Sequence, residues 1–283
     1  MSSTASAGPG PSPAAARPRA LIVTIYGLYA RDVGGWLGVG SLIRLMAALD
    51  VDEAAVRSSI SRLKRRGILE PERHGGTAGY ALSERARSIL DEGDRRIFQR
   101  PRASLQDGWI LAVFSVPETE RQHRHTLRSR LTWLGFGTVG PGVWIAPGHL
   151  EGETRDVLER HGLSRYVDLF GASYLGFRDV REEASTWWDL DGLDRLYAEF
   201  RAAHGPVLTR WRRRRGPDDE QQAFADYVRA LTSWRRLPFL DPGLATELLP
   251  RDWTGTRAAE LFSALRARLE SPARRHVDEV CGG

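Results

Sequence analysis

EAAVRSSISRLKRRGILE, residues 53–70, reads as one amphipathic helix that stops at Gly67. Asp50 or Asp52 just ahead of it carries a carboxylate able to cap the free amides of a first turn, and glycine is the residue that most readily ends a helix. At about 100° per residue, Val56, Ile60 and Leu63 share one side. Ser58, Ser61, Arg62 and Arg65 fall on the other, flanked by Arg57 and Lys64. Such a helix buries its apolar stripe and leaves a basic face free to enter a groove. Small hydroxyl side chains let the backbone approach base edges, while arginines reach guanine or phosphate.

Beyond Gly67 the period shortens from 3.6 towards 2. Ile68 and Leu69, a glycine-rich stretch Arg73-His74-Gly75-Gly76-Thr77-Ala78-Gly79, then Tyr80 and Leu82 predict a hairpin. Ser83 caps a closing helix, SERARSILDEGDRRIF, with an apolar stripe of Ala86, Ile89 and Leu90. Upstream, ALIVTIYGLYA from Ala20 follows Pro18, is apolar on most sides and stops near Asp32, as a buried first helix would. Leu42, Leu45, Met46 and Leu49 mark a short second helix over 41–49. Three helices, a hairpin and a closing helix predict a winged helix-turn-helix domain over 18–100, with Arg73 and His74 on the wing touching backbone or minor groove. Residues 1–17, rich in Ser, Ala, Pro and Gly, predict a disordered tail.

A linker at Pro101–Asp107 leads to a second pattern. WILAVFSVP (109–117) is a strand, 118–133 a helix, 135–147 two short strands around Gly140-Pro141-Gly142, 151–162 a helix and 166–177 a strand. This β-α-β-β-α-β order over 105–180 predicts a ferredoxin-like domain. From Thr186 the helical patterns LDRLYAEF, AFADYVRALTSW and AAELFSALRARL, separated by loops bearing Gly205-Pro206, Gly216-Pro217 and Asp241-Pro242-Gly243, predict a helical domain over 186–280. The fold class is therefore α+β and multidomain.

The charge balance is +5 with a pI near 9.8, which suits a polyanionic partner. A single lysine, Lys64, among the basic residues shows a general preference for arginine, so the position of the arginines matters more than their number. A lone cysteine, Cys281, excludes an intrachain disulfide and a cysteine-based zinc site. No apolar run is long enough to span a bilayer and the first residues lack a signal-peptide layout, so the expected compartment is the cytoplasm. His123 and His125 are separated by about 200° on a helix, which does not suit one shared metal ion. Gly135, Gly137, Gly140 and Gly142 lack the strand-to-helix context of a dinucleotide fingerprint. Trp187, Trp188, Trp234 and Trp253 read as core or interface aromatics, and the run Trp211 to Arg215 as a solvated loop. No catalytic residue, metal or cofactor is expected.

Four stretches, EAAVRSSISRLKRRGILE (53–70), WLGFGTVGPGVWIAP (133–147), WRRLPFLDPGLATELLP (234–250) and DWTG (252–255), give the chain from about Arg19 onward an ordered set of motifs that resembles the PaaX family of repressors of phenylacetate catabolism. The resemblance implies a winged helix, a central domain similar to the Cas2 fold and a helical C-terminal domain. It further implies a homodimer on a palindromic operator in double-stranded DNA, released by an aryl-acyl-CoA such as phenylacetyl-CoA. Arg124 and Arg128, one helical turn apart, are candidates for the phosphates of that ester, with Trp133 as an apolar wall. Cas2-like nucleases carry an acidic residue late in their first strand. Here WILAVFSVP presents Ser115, which points to a dimerisation or coupling module. The Trp211–Arg215 run departs from the family pattern. A metal-dependent nuclease of Cas2-like type and an adaptor with non-specific DNA binding are the other classes open to this architecture.

Overall fold

The structure, a computed structural model, describes residues 17–31, 34–99 and 102–282. The predicted tail, apart from Arg17, lies outside the described residues, as do Asp32 at the expected end of the first helix and Pro101 at the start of the expected linker. In chain order the elements are α1 (Pro18–Ile25), β1 (Trp36–Gly38), α2 (Val39–Ala47), α3 (Glu53–Arg65), β2 (Leu69–His74), β3 (Thr77–Leu82) and α4 (Glu84–Asp94). Next come β4 (Trp109–Phe114), α5 (Arg121–Leu134), β5 (Gly137–Gly140), β6 (Val143–Pro147), α6 (Glu151–Arg160) and β7 (Val167–Ala172). Five helices complete the chain: α7 (Val180–Trp187), α8 (Leu190–Arg213), α9 (Glu220–Trp234), α10 (Leu237–Leu240) and α11 (Gly255–Gly282). These residues group into two compact units, one formed by the chain up to Leu90 with 215–233 and the chain from Leu265, the other by 91–214 with 234–264. Among the described residues, no helix is long and apolar enough to cross a membrane.

In the first unit α1 buries Leu21, Ile22 and Ile25, α2 buries Leu42, Leu45 and Met46, and α3 buries Val56, Ile60 and Leu63. Asp52 is the cap of α3, its carboxylate accepting from the Ala55 amide at 2.8 Å. Asp50 instead takes a left-handed turn at φ +60° and faces Arg229 at 2.6 Å. The hairpin of β2 and β3 turns on Gly75 and Gly76 at φ +54° and +84°, the double positive φ that a two-residue turn with the twist of the flanking strands requires. One strand went unpredicted: β1 lies on the far side of β3, in the order β1-β3-β2. Three residues are too few to display an alternating pattern, and their partners lie more than 40 residues away.

The C-terminal third also builds this unit. Phe224, Tyr227 and Val228 of α9 are fully buried, and Thr232 places its hydroxyl 2.8 Å from that of Thr24 on α1. From α11, Arg274 donates to the Leu28 carbonyl at 2.9 Å and its guanidinium lies 5.0 Å from the centre of the Tyr29 ring.

The second unit holds the four-stranded sheet, order β5-β6-β4-β7, with every neighbour antiparallel. Ile110 and Ala112 of β4, Leu127 and Leu131 of α5, and Val157 and Leu158 of α6 share its core. The glycines serve as turns and close approaches. Gly135 ends α5 at φ +90°, and a Cβ on Gly137 would stand 2.6 Å from the Trp188 ring. Two expectations for the following helices fail. Gly205-Pro206 lies inside α8 and does not separate two elements, and Trp211 to Arg213 close that helix where a solvated loop was expected. Burial of Phe200, Leu208 and Trp211 on either side of Pro206 keeps the helix in place through tertiary packing, which overrides the loss of one backbone hydrogen bond. Trp234 packs among these helices: it is 1% exposed, stacks on Phe262 at 4.8 Å and donates from Nε1 to the Ile97 carbonyl at 3.0 Å.

Candidate nucleic-acid interface

The apolar stripe of α3 turns its other side outward. Arg57, Ser58, Ser61, Arg62, Lys64 and Arg65 are all exposed, while the intervening Ser59 is buried beside Val56 and Ile60. Arg57 is engaged along its own helix with Glu53 at 2.6 Å, an exposed pair worth a few tenths of a kcal/mol. Among the described residues, Arg62, Lys64 and Arg65 have no ion-pair partner, and their position in the last turn of α3 sets them against the negative end of the helix dipole.

The hairpin next to α3 carries Arg73 and His74, both exposed. Arg73 donates to the Gly76 carbonyl at 3.3 Å, which holds it across the turn. His74 is sandwiched more tightly than sequence implied: its ring stacks on Trp36 at 4.5 Å and 16°, and its Nε2 meets the Glu72 carboxylate. Trp36 in turn donates from its indole to the Glu72 carbonyl at 3.3 Å and lies so close over Gly79 that a Cβ there would come within 2.4 Å of the ring. Sequence reasoning missed Trp36 and Glu72. The only local signal was Gly79 in the middle of a strand, which marks close approach of another group.

The three effector candidates come together in the second unit. Arg124, Arg128 and Trp133 line an open cleft of about 1230 Å³ along α5. Phe239 and Leu240 of α10, not singled out from the sequence, form its far wall, with Phe239 5.6 Å from Trp133. Arg124 is already committed, donating to Glu118 at 3.0 Å and to the Val116 carbonyl at 2.8 Å. Arg128 is exposed, with its guanidinium 5.9 Å from the centre of the Trp144 ring. Behind the aromatic pair sits Arg96, 8% exposed, its guanidinium 5.0 Å from the Trp133 ring and 2.7 Å from the Leu134 carbonyl. Burial lowers its pKa from the ordinary arginine range, and Glu153 at 3.4 Å works against that shift.

Ser115 follows β4 and is exposed, its amide bonded to the Tyr166 carbonyl at 3.1 Å. Nearby, Tyr166 donates a short hydrogen bond to Glu120, which holds that carboxyl below the usual carboxylate range; Arg165 and His123 add to the effect. Among the described residues no group of three or more His, Cys, Asp or Glu is placed to hold a metal ion.

Three family models match the chain in order: "PaaX-like protein" over residues 17–86, "PaaX protein central Cas2-like domain" over 102–184 and "PaaX-like protein C-terminal domain" over 188–279. The chain is 25% identical over 265 residues to the transcriptional repressor PaaX of Escherichia coli K12, an alignment that spans 92% of this chain and 82% of that protein. Its fold is similar to that of an uncharacterized protein of Mycobacterium tuberculosis, Rv0674, with a TM-score of 0.60, 22% identity, and coverage of 94% of this chain and 100% of the other. The order of the three matches, nearly end to end, makes the chain a member of the PaaX family.

Proposed function

We propose that this protein is a transcriptional repressor that reads double-stranded operator DNA with a winged helix-turn-helix, acts as a homodimer on a palindromic site of an aromatic-acid catabolic operon, and is released by an aryl-acyl-CoA such as phenylacetyl-CoA. The observation that carries the reading is the outer face of α3. Two exposed serines and three arginines or lysines without ion-pair partners among the described residues stand on a helix anchored from behind by Val56, Ile60 and Leu63. Ser58, Ser61, Arg62 and Arg65 read base edges in the major groove, with Arg57 and Lys64 on flanking phosphates. The β2–β3 hairpin is the wing, and Arg73 and His74 contact the backbone or the minor groove beside it. The name of the Escherichia coli relative, a transcriptional repressor, supports the same role.

The cleft along α5 suits the ester in chemistry. Trp133 and Phe239 offer an apolar wall for an aryl group, and Arg128, the more exposed of the two arginines, offers charge to phosphates. The ester releases DNA by binding better to a conformation that cannot engage both half-sites. The test is a mobility-shift titration of the upstream region of the protein's own gene at fixed salt, with and without phenylacetyl-CoA. Specific binding relieved by the ester is the expected result. Specific binding indifferent to the ester removes the effector, and magnesium-dependent cleavage of the probe would replace the repressor with a nuclease.

A further inference from the structure

The first unit contains a cavity of about 360 Å³ on the apolar side of α3, within the size range of small-ligand pockets. Val23 of α1, Leu63 of α3, Ile68 just before β2 and Leu90 of α4 line it. Ile89 completes the wall while 51% exposed, so the apolar stripe expected of α4 is only partly covered by the protein itself. Three arginines, Arg17, Arg19 and Arg66, border the same space, and among the described residues none of them has an ion-pair or hydrogen-bond partner for its side chain. An apolar chamber edged by three guanidinium groups without a partner among the described residues selects its occupant by charge as well as by hydrophobicity.

From this arrangement we infer that the cavity binds a small amphiphilic anion, an aliphatic or aryl tail carrying one carboxylate. The lining gives a sugar or a polyphosphate nothing to hydrogen-bond within, and a neutral hydrocarbon would leave the arginines unused. The tail enters between α1 and α4, and the carboxylate stays at the mouth, where guanidinium groups hold it in bidentate geometry. The ligand would touch the end of the same helix that bears Arg62 and Arg65. Leu63 and the Gly67-Ile68 pair that follows Arg66 are tied to the start of α4 by short links: the Ile68 amide to the Leu63 carbonyl at 3.0 Å, the Ser83 amide to the Ile68 carbonyl at 3.1 Å, and the Ser83 hydroxyl to the Gly67 carbonyl at 2.7 Å. This site is separate from the α5 cleft of the second unit and does not depend on it.

The experiment is a calorimetric titration of the full-length protein with octanoate and with 1-octanol, which has the same tail and no charge. Wild type should bind octanoate at least tenfold more tightly than octanol. The triple variant R17Q/R19Q/R66Q should lose that preference while keeping its octanol affinity, and I89E, at an exposed position that leaves folding intact, should weaken both ligands. Equal affinity of wild type for the two ligands would overturn the proposal. So would an octanoate affinity unchanged in the triple variant. No DNA is present in the titration, so its outcome is independent of the repressor reading.

Discussion

The outer face of α3 and the cleft along α5 are both lined by arginines on an exposed helix, yet they are built in opposite ways. On α3 one helix supplies almost every relevant side chain, and its last-turn cations are left unpaired among the described residues. In the α5 cleft, Arg124 is spent on Glu118 and the Val116 carbonyl, and the aromatic wall depends on Phe239 from an element more than 100 residues away. Unpaired cations on a continuous helix suit a long polyanion. A paired cation beside two aromatic rings suits a compact ligand with one apolar end.

The largest effect should come from the α3 face. Replacing Arg62 and Arg65 by Ala should cost about 1–3 kcal/mol of operator affinity for each base contact and flatten sequence preference, as measured by titration against matched and scrambled sites. If affinity and preference stay unchanged, the two helices no longer differ in the way described. At the cleft, W133A and R128E should each shift the phenylacetyl-CoA concentration for half-release about tenfold or more, with affinity for DNA in the absence of ester unaltered. An R124A effect as large as that of R128E would contradict the commitment of Arg124 to its neighbours. Smaller still is the cap: D52A should lower stability by about 1 kcal/mol in urea denaturation, because the Ala55 amide loses its acceptor. R57A should barely change stability, since its exposed pair with Glu53 contributes little, and should reduce the slope of log affinity against log salt by about one.

One pH effect separates stability from recognition. Burial lowers the pKa of His149 in the second unit and of His276 in the first, against the opposing pull of neighbouring carboxylates. A histidine whose folded pKa is depressed binds fewer protons folded than unfolded at mildly acid pH. Its stabilising contribution is therefore complete above about pH 6.5 and is lost as pH falls through that range towards the folded value. Urea midpoints measured from pH 8 to pH 5 should fall, and H149Q should flatten part of the decline.

The legible parts of the molecule share one property: each is encoded within a few residues. The face of α3 followed from the phase of Val56, Ile60 and Leu63, the hairpin turn from Gly75-Gly76, and the element order of the central sheet from its alternating runs. The illegible parts depend on distant partners. β1 is a strand because Tyr80 and its neighbours pair with it, His74 is held by a tryptophan far upstream, and Pro206 stays helical because its flanking residues are buried. Nor does any local pattern put Thr232 against Thr24 or Phe239 against Trp133.

By itself, then, the sequence determined which helix is basic, which of its sides is buried, and that a two-glycine hairpin follows it, because periodicity and turn chemistry are properties of neighbouring residues. The tertiary structure decided that Arg57 and Arg124 are paired while Arg62 and Arg65 have no ion-pair partner among the described residues. It also decided that α9 and the end of α11 complete the first unit, and that Phe239 lines the α5 cleft. Those outcomes depend on side chains meeting across long stretches of chain, where burial and packing, and not local propensity, choose the partner.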